Sequence, residues 1–155
     1  MKLTTVLRLM RFWPPFWGAG IKVHSFNAEL TEITVEMKLR FWNKNYVGTH
    51  FGGSLYAMTD PFYMLMLLHL LGRSYIVWDK SASIRYKKPA KGMVYATFKL
   101  SADQVQLIRD EVSLHLKTEK EFTVKVVNQE NEVVAEVTKL VYVALKDSNI
   151  EKPAH

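Results

Sequence analysis

The chain has 155 residues, the size of one ordinary domain. Apolar residues make up 48% and charged residues 23%, which supplies a core and excludes an intrinsically disordered chain. There is no cysteine, so disulfides, thiolate nucleophiles and cysteine zinc sites are excluded, and the chain fits a reducing, cytoplasmic compartment. The formal charge of +6 suits either a plain basic surface or a phosphate-bearing partner, and the Lys/Arg run that marks nucleic-acid binders is absent.

Residues 4–12 read as a short basic amphipathic helix, with Val6, Leu7, Leu9 and Met10 set against Arg8 and Arg11. The two arginines interrupt the apolar run that a secretory signal needs. Trp13-Pro14-Pro15-Phe16-Trp17-Gly18 ends the helix, because proline disfavours helix in the residue before it. This lead-in of residues 1–20 is either a lid packing aromatics on the core or a contact for a membrane surface or partner. Residues 30–41 alternate, with Ile33, Val35, Met37, Leu39 and Phe41 on one face and charged or polar residues on the other, the period of a half-buried strand. A polar, glycine-punctuated loop, 45–53, leads into an almost wholly apolar helix, 54–71. That helix is nearly long enough to span a bilayer, but Asp60, Pro61 and His69 within it favour a buried core helix and no transmembrane segment. Pro61 should kink it near Ala57 or Asp60, and Gly72 closes it.

Further strands are expected at 75–86 and 93–100, joined by the basic turn from Lys87 to Gly92. Ser101 and Gln104 make a capping box for a helix to about residue 112, with Val105, Ile108 and Val112 inward. Residues 122–128 and 133–145 form a hairpin around Gln129-Glu130-Asn131, and a polar tail, 146–155, is expected to fray. Strand, apolar helix, then four strands imply one α+β domain over 1–155, an antiparallel sheet wrapping a central helix. One chain would leave edge strands open, and a dimer joining two sheets would close one of them.

Asp60 is the first residue to explain, since a carboxylate in an apolar helix is costly unless paired, hydrogen-bonded or used. It is either a general base or nucleophile, or half of an Asp-Pro break whose carboxylate caps the second half of the helix. The amides of Gly52 and Gly53, at a helix start, could hold an oxyanion or make a plain tight turn. Asn45 could orient a water or a carbonyl, and His50 could donate to a carbonyl or a phosphate or be structural. The histidines at 24, 50, 69, 115 and 155 show no metal-ligand spacing, and His69 reads as a hydrogen-bonded core residue. A Ser54-His50-Asp60 triad lacks a nucleophile elbow. Asp79, beside Lys80, is either a cross-strand ion-pair partner or a second polar group facing the site. Lys87, Lys88 and Lys91, with Arg85 nearby, are either solvated or a clamp for the phosphates of coenzyme A.

Asn45, Gly48, Thr49, Gly52 and Gly53, followed seven residues later by Asp60, resemble the motif of hotdog-fold acyl-CoA thioesterases of the phenylacetyl-CoA type. Ile84-Arg85-Tyr86-Lys87-Lys88-Pro89-Ala90-Lys91-Gly92 resembles the strand and turn of the same family. Gly48 to Ser54 and Val77 to Ser81 are similar to a hotdog branch catalogued as a domain of unknown function. The resemblance implies a hotdog fold, a curved antiparallel sheet wrapped around a long central helix, in homodimers or dimers of dimers. It implies hydrolysis of an acyl-CoA or similar thioester without a metal or cofactor. Asp60 would activate water or attack, Gly52 and Gly53 would hold the oxyanion, and Asn45 and His50 would complete the catalytic set. Thr49, Asp79, Ser81, Arg85, Lys87 and Lys88 would contact substrate. Two departures stand out: Phe51, not histidine, precedes Gly52-Gly53, and Asp79 stands where those enzymes often carry Ser or Thr. They keep a non-catalytic acyl- or lipid-binding protein open as an alternative, with a hotdog hydratase or dehydratase third.

Overall fold

The computed structural model describes residues 2–146, so the tail expected to fray lies, beyond Lys146, outside the described residues. Six strands form one antiparallel sheet in the order β1-β2-β4-β5-β6-β3: β1 Ile21–Phe26, β2 Glu32–Lys38, β3 Tyr75–Tyr86, β4 Met93–Lys99, β5 Lys117–Asn128 and β6 Val133–Leu145. The sheet curves around α4 (Phe62–Leu71), which is the hotdog arrangement. Alternation decides which side chains face that helix. Ile33, Val35 and Met37 of β2, Val94, Ala96 and Phe98 of β4, and Val137, Val141 and Val143 of β6 are all buried against Phe62, Tyr63, Met66 and Leu67.

Several expectations need correction, beginning with the strands and the lead-in. β1 was not anticipated, because its alternation fails at a register shift between Val23 and Ser25. Residues 14–19 are not a helix stop but a second short helix, α2 (Pro14–Ala19), with proline in the first turn where its missing N–H costs nothing. It follows α1 (Leu3–Leu9) and a 3-10 turn, Met10–Phe12. β2 ends at Lys38, so Phe41 is exposed rather than inward. β5 begins at Lys117, five residues before 122; its polar start has no apolar signature and is held by pairing with β6 from Lys117 opposite Ala144.

The apolar helix expected at 54–71 is two helices, α3 (Gly52–Ala57) and α4. Pro61 offers no N–H and steers Asp60 away from helical geometry, so the break falls where the sequence placed a kink; the Asp60–Pro61 peptide is cis. Nor is α4 buried all round, since the sheet covers one side only. Leu68 and His69 are exposed, so His69 is a surface residue and not the core histidine expected. The last carbonyls of α4, Leu70 and Leu71, accept from the Arg109 guanidinium of α5 (Ala102–His115). α5 has the capping box read from Ser101 and Gln104, and it buries Val105, Ile108 and Val112.

β4 and β5 share only three paired positions, Val94–Ala96 with Val126–Asn128, and then part. Tyr63 closes the gap from inside: it stacks on Phe122 at 4.7 Å and donates its hydroxyl to the Thr123 carbonyl at 3.2 Å. Burial raises the Tyr63 phenol to about 12.

Candidate functional site

β6 places Ala135, Val137, Lys139, Val141 and Val143 on its inward face, and all five are fully buried. Lys139 therefore carries an ammonium into the core, where it must find acceptors. It finds two. Its Nζ donates to Asp60 Oδ1 at 2.7 Å and to Asp79 Oδ2 at 2.5 Å. The ring of Tyr56 lies 5.9 Å away, its face towards the cation.

Two irregularities bring the carboxylates there. Asp60 stands in the break between α3 and α4, free of helical geometry. Asp79 lies just before a bulge in β3 that inserts Lys80 between the pairs Asp79–Val141 and Ser81–Leu140. The bulge sends Lys80 outward to Glu119, at 2.5 Å, so the Asp79 partner is Lys139 and not the neighbour in sequence.

The three groups differ in their access to water. Lys139 has none, whereas 43% of the Asp60 side chain is exposed. Burial pushes the Asp79 carboxyl above its ordinary value; Lys139 pulls it back, and the Asp60 carboxylate adds to the upward push. Asp79 Oδ1 is buried without a hydrogen-bond partner. Burial alone would lower the Lys139 ammonium, but its two carboxylates outweigh that and hold it above 10.5. Asp60 is thus neither sealed off nor satisfied by backbone donors. It is held on one side by a buried cation and open to solvent on the other.

The loop before α3 organises itself. Asn45 Oδ1 accepts from the Val47 and Thr49 amides, at 3.1 and 2.9 Å, and its Nδ2 donates to Thr49 Oγ1 at 2.8 Å and the His50 carbonyl at 3.3 Å. Those four bonds tie the Asn45 side-chain amide and Thr49 into the framework of the loop, with Thr49 Oγ1 as an acceptor. His50 is likewise turned inward. Its Nε2 donates to the Gly92 carbonyl at 2.9 Å, which leaves a bare, buried Nδ1. Burial lowers its pKa, against the pull of that bond, so His50 is a neutral strut between the loop and the turn before β4.

Gly52 and Gly53 open α3 behind Phe51, whose carbonyl accepts from Ser54 and Leu55. Their own amides are orphan donors of a helix start, unbonded among the described residues. The Tyr86 hydroxyl and the Phe51 ring crowd their α-carbons: an added Cβ would lie 2.9 Å from the one at Gly52 and 2.5 Å from the other at Gly53. A cleft of about 580 Å³ runs past these amides to Tyr86, Lys87 and Lys88. Lys88 pairs with Glu132 at 2.6 Å, whereas Lys87 has no carboxylate partner among the described residues. Ser81 and Arg85 are exposed on β3, outside this cleft.

Asp60 and Asp79 are outside it as well. α3 separates Asp60 from the Gly52 amide, and its six residues alone rise roughly 9 Å. Within one chain Asp60 does not line the cleft that passes the helix start. Lys139, which sequence reasoning missed, was detectable as the one charge on the inward face of the β6 alternation. Among the described residues no group of three His, Asp or Glu could hold a metal ion. No described helix is long and apolar enough to cross a membrane.

Over residues 4–143 the sequence matches the family described as a domain of unknown function, DUF4442. No curated protein matches it. Among solved structures it is similar to PA5026 from Pseudomonas aeruginosa, a protein of unknown function described as a probable thioesterase, with TM-score 0.79 and 20% identity over 92% of this chain and 95% of that one. The thioesterase HI1161 from Haemophilus influenzae aligns with TM-score 0.68 and 14% identity over 97% and 96% of the two chains. A mutant of the phenylacetic acid degradation protein PaaI from Thermus thermophilus aligns with TM-score 0.57 and 23% identity over 83% and 97%. At these identities the likeness establishes the fold.

Proposed function

The chain belongs to the DUF4442 family, and on that premise we propose that it is an acyl-CoA thioesterase whose site is assembled from two copies of the chain. The observation that carries this is the half-open Asp60 carboxylate, anchored through Oδ1 by the buried Lys139 and exposed on its other side. That is the geometry of a positioned base rather than of a helix cap. The α3 amides that could receive an oxyanion lie a helix length away, so a second copy has to supply them. β3 is twelve residues long, pairs with β6 on one side only and exposes residues 80–83. An edge of that length needs covering. Asp79 ties Asp60 to this strand, so a copy pairing along β3 would bring its own loop towards Asp60.

In the reaction, Asp60 takes a proton from water as the water oxygen attacks the thioester carbonyl carbon. The Gly52 and Gly53 amides receive the developing oxyanion. Collapse of the tetrahedral intermediate breaks the carbon–sulfur bond. The thiolate leaves as coenzyme A and recovers the proton, and a carboxylic acid remains. Lys87, beside the cleft, faces the phosphates of the coenzyme. Asn45, Thr49 and His50 shape the loop that presents the amides. Lys139 orients Asp60 and does not touch substrate.

The test is thiol release from a panel of acyl-CoAs by the purified protein and by Asp60→Asn. The expected result is release by the wild type, lost in the variant by at least about a hundredfold. No release from any thioester, or equal release by Asp60→Asn, refutes the proposal. A second reading rests on the ammonium itself, since an ion-paired carboxylate is a weaker base. It makes the protein an acyl-binding module, which an uncleaved acyl ligand retained through purification would support.

A further inference from the structure

A second feature lies outside the proposed site and does not depend on it. α1 and α2 are fastened to the core by Leu7, Met10 and Phe16, all buried. Phe16 lies 6.1 Å from Phe62 of α4, measured between ring centroids. The outward side of such a segment should be polar. Here it carries Phe12, Trp13 and Trp17, and the loop after β2 adds Phe41 and Trp42 beside them, all exposed. Trp17 is 71% exposed and Phe41 81%, and three of the four tryptophans in the chain lie exposed in these two segments. Asn43 joins the two segments rigidly, since its Nδ2 donates to the Ala19 and Lys38 carbonyls, both at 2.9 Å.

The aromatics are interleaved with cations. Trp17 and Trp42 line a groove of about 430 Å³ together with Arg11, Lys22, Lys38 and Arg40. The one acid there, Glu36, is taken by Lys22 and His24 at 2.7 and 2.6 Å. Arg11, Lys38 and Arg40 have no carboxylate partner among the described residues. Arg11 lies over Phe12 and Arg40 over Trp42, 4.9 and 5.2 Å from the ring centroids, so charge and ring are presented together.

We propose that this face docks the protein on an anionic lipid bilayer, with the Trp17, Trp42, Phe12 and Phe41 rings in the headgroup region and Arg11, Lys38 and Arg40 against lipid phosphates. Indole and phenyl rings projecting beside guanidinium groups match the interface of a bilayer, where an apolar body and a charged rim are both accommodated. A two-fold contact between copies would set these unpaired cations against themselves. The net charge of +6 favours an anionic surface in general, and this face concentrates that preference.

The test uses the full chain with vesicles of phosphatidylcholine alone and with added phosphatidylglycerol. It reads co-sedimentation and tryptophan emission at low and high salt. The expected result is binding to the anionic vesicles only, with a blue shift, weakened by salt. Arg11→Glu/Arg40→Glu should lower the affinity on the order of a hundredfold. Trp17→Ala/Trp42→Ala should lose most of the blue shift, and both variants should keep the wild-type melting temperature because the residues are exposed. Absent binding, equal binding to both vesicles, or binding that neither variant alters would overturn the proposal. So would lipid-free self-association abolished by the charge reversal, which makes the face a contact between copies. Response to an acidic protein and not to vesicles would assign it to a protein partner and overturn it equally.

Discussion

Replacing Lys139 by Met keeps most of the aliphatic stem and removes the ammonium, leaving Asp60 and Asp79 facing each other without a counter-ion. Breaking a buried pair by deleting one partner costs about 3–5 kcal/mol. Solvent reaches Asp60, whose side chain is 43% exposed, and offsets part of that, so the lower end, about 3 kcal/mol, applies. For a domain of this size such a loss lowers the melting temperature by roughly 6–12 °C. The pH dependence identifies the cause. The Asp79 carboxyl is already raised from 3.8 by burial, and loss of Lys139 removes the group that opposes this. An acid with a raised folded value lends stability that is full below its unfolded value and is lost as pH rises through the folded one. The gap between wild type and Lys139→Met should therefore be small near pH 4 and open as the pH rises. It should narrow again above 10.5, where the wild-type ammonium, raised by its carboxylates, finally deprotonates. Urea denaturation across this range measures it, and Lys139→Met/Asp79→Asn should recover part of the loss. A gap below about 1 kcal/mol at neutral pH, or one independent of pH, refutes the account of Lys139 as the counter-ion of both carboxylates.

The buried, neutral His50 makes an acid-sensitive joint: its folded pKa lies below 6.5, so the stability it lends is present above 6.5 and lost as pH falls through the folded value. His50→Gln, whose amide can still donate to Gly92, should flatten the acid side of a melting-temperature profile, and an unchanged slope would assign that slope to other groups. Tyr63→Phe leaves the Thr123 carbonyl without its donor in the gap between β4 and β5, at a cost of about 1–2 kcal/mol in chemical denaturation. A site built across two copies predicts complementation. Inactive Asp60→Asn and Gly52→Val chains, refolded together, should regain about a quarter of wild-type turnover, because half the dimers are mixed and each mixed dimer holds one intact site. No recovery places both groups in one chain.

Much of this architecture is legible in the sequence because alternation and burial are the same fact seen twice. β3 and β6 run over 75–86 and 133–145 as their patterns indicate, and Ser101 with Gln104 caps α5 as their spacing requires. What was not legible depends on pairing. β1 and the polar start of β5 take their strand form from neighbours, and nothing local marks them. The Lys139–Asp60 contact joins residues 79 apart in sequence, and no spacing rule reaches so far. Yet half of it was readable: an unbroken Val-x-Lys-x-Val alternation in β6 places a cation inward, and an inward cation requires an acid. The motif residues Asn45, Thr49 and His50 show the opposite case. Their types suit catalysis, but types do not disclose that Asn45 and Thr49 are bonded to each other within the loop and that His50 reaches across to the Gly92 carbonyl.

The core and the site share the regular inward run of β6, which carries Lys139 among its valines. The regular stretches of β2 and β4 add apolar packing alone, and the two irregular places, the break before α4 and the bulge in β3, supply the carboxylates. Were α3 and α4 one helix, Asp60 would share a face with Tyr56 and Tyr63, one turn away on either side, and Tyr63 is buried against the sheet. The break turns Asp60 towards β3 instead, and the bulge at Lys80 ends the inward run of β3 at Asp79, so both carboxylates arrive where β6 has its lysine. Neither irregularity is explained by the packing of its own element. Both are explained by the need of a buried ammonium for two acceptors, since one carboxylate leaves donors of Nζ unmet in a place water does not reach. Lys139 is therefore the residue that makes two defects into one arrangement, and it holds the exposed half of Asp60 at the open edge of the sheet.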